Sequence, residues 1–261
     1  MGTVSKALDL LNLFTRARPL LGLSDVARLG GLNKATCHRL LSELAEFGLV
    51  EQVGPAREYR LGPAVLRLSA LREAQVPTRE AAMPVLQALA QTTGETVHLS
   101  ILVGGTLQSL AFAYSAQHAT KVTMEDAETL PFHATSSGLV VLAFQSENWR
   151  AQVLGGSLPK LTPQTITDPA TLALLLDQAR KTGMAAGAGG YETEVHSLAV
   201  PLFDALGRCS GGLAVAAPGA RMTPQAQALI TPALIRAGAT ITTIWGGTLP
   251  PEIAEMWRDA A

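Results

Sequence analysis

The feature that most constrains this chain is a pair of short apolar-striped runs separated by Gly30-Gly31, the second of which carries its cations at its start. Consecutive glycines interrupt a helix. Asn33, just beyond them, has a short side-chain oxygen that can accept from the amides two or three residues on, so it restarts the helix as an N-cap. Behind it Cys37, Leu40, Leu41 and Leu44 recur at helical spacing and form one apolar stripe. The other side opens with Lys34, Ala35, Thr36, His38 and Arg39 and continues with Ser42, Glu43 and Glu46. Long cationic and polar side chains crowded into the first turns present that end of the helix to something negative. A surface helix with two chance cations would read the same way over this stretch alone, so the flanking chain decides.

Upstream, Val4, Ala7, Leu8, Leu11 and Phe14 mark a first amphipathic helix that should end before Pro19. Ser24 is placed to cap a short helix over Asp25 to Leu29, with Asp25 where the helix dipole favours an acid. Two helices joined by a tight glycine turn, the second basic at its start, form a helix-turn-helix. After Gly48, two β-like runs, Val50 to Val53 and Tyr59 to Gly62, flank Gly54-Pro55-Ala56-Arg57-Glu58. That is a hairpin, or wing, with Arg57 at its tip and Arg60 on its return strand. Residues 1–62 are therefore expected to be a winged helix-turn-helix that binds double-stranded DNA. Lys6, Arg57 and Arg60 are the candidates for phosphate contacts, and Lys34, Ala35, Thr36, His38 and Arg39 for base edges.

Charge agrees with that division. The formal net charge of −1 conceals ten Lys or Arg against seven Asp or Glu up to Gln75, and ten against fourteen beyond it. A basic front and an acidic back suit a nucleic-acid module joined to a small-molecule module. At 261 residues, 48% hydrophobic and 16% charged, the chain has length for two modest globular domains. No Asp, Glu, Lys or Arg falls between Thr96 and Thr120, but Gly104-Gly105 breaks that run and His98, Ser100, Gln108 and Ser109 punctuate it, so it reads as two strands and not as a membrane span. With no basic leader before an apolar core at the N-terminus and no disulfide framework from its two cysteines, a reduced cytoplasmic protein is expected.

Residues 63–77, with Val65, Leu66, Leu68 and Leu71, read as a linking helix, and together with the first helix they are candidates for a dimer contact. A break follows at Val76-Pro77. From Thr78 to Thr93 a longer helix stops at Gly94. Strands then span Thr96 to Val103, Leu107 to Tyr114 and Lys121 to Met124. A buried helical run covers Gly138 to Phe144, and Asp168 opens a helix over Pro169 to Thr182. A strand pair at Val195 to Pro201 and Gly211 to Ala217 precedes a helix from Thr223 to about Trp245, with a kink expected at Pro232. Hairpins with helices before and after them predict an α+β domain over 78–248, an antiparallel sheet covered on one face. Residues 249–261 are left as a C-terminal tail.

The winged module, LSDVARLGGLNKATCHRLLSELAEFGLVEQ followed by EYRLGP, resembles that of the IclR family of bacterial transcriptional regulators. The resemblance continues in order through GETVHLSIL, LPFHATSSG, LTPQTITDPATL, VHSLAVPLFDALGR and GLAVAAPGARMT, and so covers nearly the whole chain. It implies a ligand-responsive regulator, more often a repressor, that works as a homodimer or dimer of dimers. Its C-terminal, GAF-like domain would bind a small organic acid or aromatic metabolite. The family's pocket maps here to Ser136, Ser137, Gly187, Ser197, Ala214 and Ala216. Several relatives have Cys at the position of Ser197 and hydroxyl residues at those of Ala214 and Ala216. Methyl groups in place of hydroxyls remove hydrogen-bonding partners that a small carboxylate would use, so an effector less polar than glyoxylate is expected, unless these positions are repacked core.

Catalysis finds no motif. His98, His118, His133 and His196 are scattered without ligand spacing, and G-x-S-x-G, HExxH, CxxC and the phosphate-loop pattern are all missing. Gly187 to Gly190 is read as following no strand. No metal or cofactor is expected, and the competing reading is a metabolite-binding module or enzyme whose N-terminal domain serves only assembly. For a regulator, bulky residues at Ala214 or Ala216 should block the effector response, and the Thr78–Thr93 helix is the expected route from pocket to DNA-reading module.

Overall fold

The structure, a computed structural model, describes residues 2–15, 18–75, 78–123 and 129–260. The chain divides into two compact units, Met1–Pro77 and Thr78–Ala261.

The first unit contains helices α1 (Thr3–Leu11), α2 (Leu23–Gly30) and α3 (Lys34–Glu46), a hairpin of β1 (Val50–Val53) and β2 (Glu58–Leu61), and α4 (Pro63–Gln75). Gly31 ends α2 in the left-handed conformation, with φ of 63°, which a side chain would resist. Two residues on, the Asn33 side chain accepts from the Thr36 amide at 2.8 Å and starts α3. Cys37, Leu40, Leu41 and Leu44 are the buried face of α3. They pack with Leu10, Leu21, Val26, Val50 and Tyr59 into one core. Leu21 and Tyr59 exchange two backbone hydrogen bonds, at 3.0 and 2.9 Å, which ties the chain between α1 and α2 to the outer edge of the wing.

Two local expectations fail here. Ser24 does not cap α2; the helix starts two residues earlier, at Leu23 after Gly22, without a side-chain cap. The first helix stops at Leu11, and Leu10 is its buried residue, while Val4 and Leu8 of the expected stripe are exposed. The break expected at Val76-Pro77 lies outside the described residues.

The second unit begins with α5 (Thr78–Thr93), β3 (Thr96–Val103), β4 (Thr106–Ala113) and β5 (Thr129–Leu130). Helices α6 (Ser136–Ala143), α7 (Glu147–Leu154) and α8 (Pro169–Thr182) come next. Strands β6 (Ala185–Ala188), β7 (Val195–Phe203) and β8 (Cys209–Pro218) complete the sheet, and α9 (Pro224–Ile244) and α10 (Pro251–Ala260) end the chain. The six strands are antiparallel in the order β5-β4-β3-β8-β7-β6. The fold class is α+β, as the sequence predicts, but the sheet is covered on both faces. Val200 lies beside Leu213 in register, and a Cβ on Gly238 of α9 would meet the Val200 side chain; a Cβ on Gly212, one residue along and so on the opposite face, would meet Val140 and Val141 of α6. One face therefore holds α9 and the other α6.

Other elements differ from expectation. Residues 121–123 form no strand, Met124 is outside the described residues, and the short β5 is what pairs with β4. Residues 185–188, given no element from sequence, are strand β6, so the Gly187 to Gly190 stretch, read as following no strand, begins on one. Pro232 lies inside the span of α9, which is a single helix. The expected tail contains α10, whose Ile253 and Trp257 are buried in the core of the second unit.

Candidate functional site

In the first unit the N-terminal turns of α3 are open. Lys34, Ala35, His38 and Arg39 are exposed and Thr36 is half-buried, because the stripe from Cys37 to Leu44 commits the opposite side to the core. Arg39 is held by Glu43 one turn on, Nη1 to Oε1 at 2.7 Å, with both side chains more than half exposed. An exposed i,i+4 pair of this kind is worth a few tenths of a kcal/mol, about 0.3–0.5. A phosphate or guanine edge can displace it.

The wing is pinned in a similar manner. Arg57 has φ of 53°, the one non-glycine residue with positive φ among those described. Its Nε and Nη2 both donate to Gln52 Oε1 at 3.2 Å, and Gln52 Nε2 donates back to the Arg57 carbonyl at 2.7 Å. Arg60 Nε donates to Glu51 Oε1 at 2.6 Å across the hairpin. Lys6 stands apart. It is half-buried on α1, whose Val4, Ala7 and Leu8 border Glu43, Leu44 and Phe47 at the far end of α3 from Lys34.

In the second unit a small hollow with about 50 Å³ of internal space, open at its mouth, lies where the α6 face of the sheet meets the start of α6. Four of the six pocket residues expected from sequence line it: Ser136, Gly187, Ser197 and Ala216. The approach is close, since a Cβ on Gly187 would lie 3.1 Å from Ser197 Oγ and 3.2 Å from the Ser136 amide. Ser137 does not line it but stands behind, with its Oγ 3.1 Å from His98 Nε2. Ala214 is a correction. It shares the face of Ala216, yet it is fully buried between its register partners His98 and Ala199, out of the hollow.

His98 was missed as a pocket residue. Thr96, His98 and Ser100 alternate along β3 with Val97 and Leu99, so three polar side chains are buried on the α6 face. Polar residues on an inward-facing strand row are the signal that could have found it. Thr96 Oγ1 donates to the Val122 carbonyl at 2.8 Å and Ser100 Oγ to the Gly212 carbonyl at 3.1 Å. Burial lowers the His98 pKa to about 4, so its imidazole is neutral near pH 7. The remaining walls are largely apolar, with Val122, Leu130, Ala134 and Val195; Tyr191 and Glu192 add polar atoms. Among the described residues no Lys or Arg lines the hollow, and no group of His, Cys, Asp and Glu is placed to hold a metal ion.

The segment carrying Val122 is tied to the start of the sheet. Arg221 Nε and Nη2 donate to Glu95 at 2.6 and 2.7 Å, and Nη2 also reaches the Thr120 carbonyl at 3.0 Å. Gln117 Nε2 donates to the Gln91 carbonyl near the end of α5 at 2.8 Å.

A winged helix-turn-helix with cations at the start of its second helix, in one chain with an α+β unit that has a largely apolar hollow edged by a few polar groups, defines a ligand-responsive DNA-binding transcriptional regulator. Residues 3–54 match the IclR helix-turn-helix domain and residues 70–243 the bacterial transcriptional regulator IclR C-terminal domain. The chain belongs to the IclR family. It is 33% identical over 221 residues to the HTH-type transcriptional regulator TtgV of Pseudomonas putida, covering 85% of this chain and 83% of that protein. A crystal structure of an IclR transcriptional regulator from a Silicibacter species has 55% identity and a TM-score of 0.90, covering 96% of this chain and 99% of that one. An IclR homolog from Microbacterium hydrocarbonoxydans, crystallised as a complex with 4-hydroxybenzoate, has 27% identity and a TM-score of 0.78, covering 94% and 99%.

Substitutions on α3 and the wing separate base reading from phosphate contact. Arg39→Ala is expected to cost about 1–3 kcal/mol of base discrimination and to relax specificity. Arg57→Ala should weaken binding to every sequence and reduce the slope of log affinity against log salt by about one. Binding isotherms on operator and scrambled DNA at several salt concentrations check both. Wild-type selectivity in Arg39→Ala would mean that α3 is not the reading helix.

Proposed function

We propose that this chain is a cytoplasmic repressor that holds its operator as a homodimer or dimer of dimers. A small aromatic or organic-acid metabolite, less polar than glyoxylate, enters the hollow and weakens that hold. The observation that carries the effector class is the lining. Val122, Leu130, Ala134, Val195 and Ala216 supply apolar surface, and the hydroxyls of Ser136 and Ser197 and the ring of His98 supply a few polar groups. The 4-hydroxybenzoate bound by the Microbacterium homolog is a ligand of this kind. We assign the hollow to binding and not to catalysis.

Association is supported by surface that a lone unit would leave wet. Val4 is 72% exposed and Phe47 76%, with Leu8 between them bordering a shallow groove on the first unit. On α4, Leu66 is 75% exposed, and Leu68 and Leu71 are also exposed. One winged module reads few base pairs, and two of them a helical turn or a multiple apart give usable specificity. Among the described residues no helix is long and apolar enough to cross a membrane.

The test is a gel shift of the full chain on the DNA upstream of its own gene, with sedimentation on the same sample. A dimer or larger species that binds this DNA, and releases it with 4-hydroxybenzoate more readily than with glyoxylate, is the expected result. A monomer with full operator affinity would remove the oligomer from the proposal, and release by glyoxylate alone would reverse the effector class.

A further inference from the structure

On two residues that line the hollow, a buried polar atom has no hydrogen-bond partner among the described residues: Nδ1 of His98 and Oγ of Ser136. Their residues are 6% and 1% exposed, so bulk water does not serve them. Buried polar groups are nearly always paired, and leaving one unpaired is unfavourable. The His98 ring is also held, and Ser136 is placed by its helix. His98 sits on a central strand with Nε2 against Ser137 Oγ, and Ser136 opens α6 immediately after its N-cap, Thr135. His98 cannot turn to another protein partner without breaking that contact.

We propose that the hollow reads an uncharged hydroxyl on its effector through His98 and Ser136, so that the ligand class is a phenol or alcohol and not a compound whose only polar group is a carboxylate. This rests on the hollow being the effector site and narrows the class given above. A hydroxyl both donates and accepts. If Ser137 Oγ–H donates to Nε2, then Nδ1 carries the proton and needs an acceptor; if Nε2–H donates to Ser137, then Nδ1 needs a donor. A hydroxyl answers either tautomer and also the Ser136 hydroxyl, which can act in both roles. A carboxylate only accepts. It would lie against a neutral imidazole, on a wall with no Lys or Arg among the described residues and with the carboxyl of Glu192 on the same lining. Desolvating a charge under those conditions is unfavourable. The amides at the start of α6 are the one feature that favours an anion, so benzoate is the discriminating competitor.

The experiment is titration calorimetry of the full chain with phenol, benzoate and toluene at millimolar concentrations. Wild type should bind phenol about tenfold or more tighter than either of the others. Ser136→Ala and His98→Gln should each weaken phenol severalfold and leave toluene unchanged; the alanine variant deletes one oxygen and guards against a folding artefact at His98. Benzoate binding tighter than phenol, phenol affinity unmoved in both variants, or no phenol binding at all overturns the proposal. Ala216→Phe separates the two readings. If it blocks the compounds while Ser136→Ala and His98→Gln do not matter, only the hydroxyl assignment fails. If it blocks none of the compounds that bind, the hollow is not the effector site.

Discussion

Leu40→Ala is expected to destabilise the first unit by about 2–5 kcal/mol, because Leu40 is fully buried on α3 and truncation leaves a cavity that its neighbours fill only in part. That is a large share of the roughly 5–15 kcal/mol that holds a typical domain folded. The same side chain seats α3 against Leu10, Val26 and Tyr59, and so determines which residues of the helix project outward. Operator affinity should therefore fall with stability, although Leu40 touches no DNA. The second unit has its own core, from Ala82 to Trp257, with no residue in common. Calorimetry should show the transition of the first unit lowered or lost and that of the second nearly unchanged. A shift shared equally by both would show that the two units melt as one.

Ala214→Phe and Ala216→Phe are expected to fail in different ways, although the two alanines lie two residues apart on the same face of β8. Ala214 has no exposed surface and is flanked in register by His98 and Ala199. A phenyl ring there has to displace close-packed neighbours, at about 1–3 kcal/mol or more. This replaces the expectation from sequence that Ala214 opens on the pocket. Ala216 lines the hollow beside Ser197, its register partner, so a ring there has somewhere to go. Ala216→Phe should melt near wild type, bind operator and ignore effector. Ala214→Phe should melt lower or fail to accumulate. Normal melting with a lost effector response in Ala214→Phe would extend the hollow inward to that position.

Much of the winged module is local, and so the sequence shows it. The Asn33 cap, the left-handed Gly31, the stripe from Cys37 to Leu44 and the wing around Arg57 each depend on residues within about a turn of one another. Where a helix has more than one apolar side, periodicity cannot say which side is buried. On α1 the stripe of Val4 and Leu8 faces outward and Leu10 faces the core, a choice made by where α3 lies. Residues 249–261 are given no element from sequence, yet Ile253 and Trp257, one turn apart on α10, find the second unit's core. Strand β6 was unread because Ala-Ala-Gly-Ala carries no β-branched or aromatic residue, and pairing with β7 supplies what propensity does not.

By itself the sequence determined the winged module, with a second helix basic at its start, and the order of the main strands and helices, since caps, turns and alternation act over short stretches of chain; four residues of the hollow came with the family resemblance. Only the tertiary structure decided that β8 is roofed at Ala214 and open at Ala216, and that His98 belongs to the hollow, with a serine 39 positions away against its ring. Strand alternation assigns a face. Where along that face a helix covers the sheet is settled by packing between elements far apart in the chain, which no local pattern records.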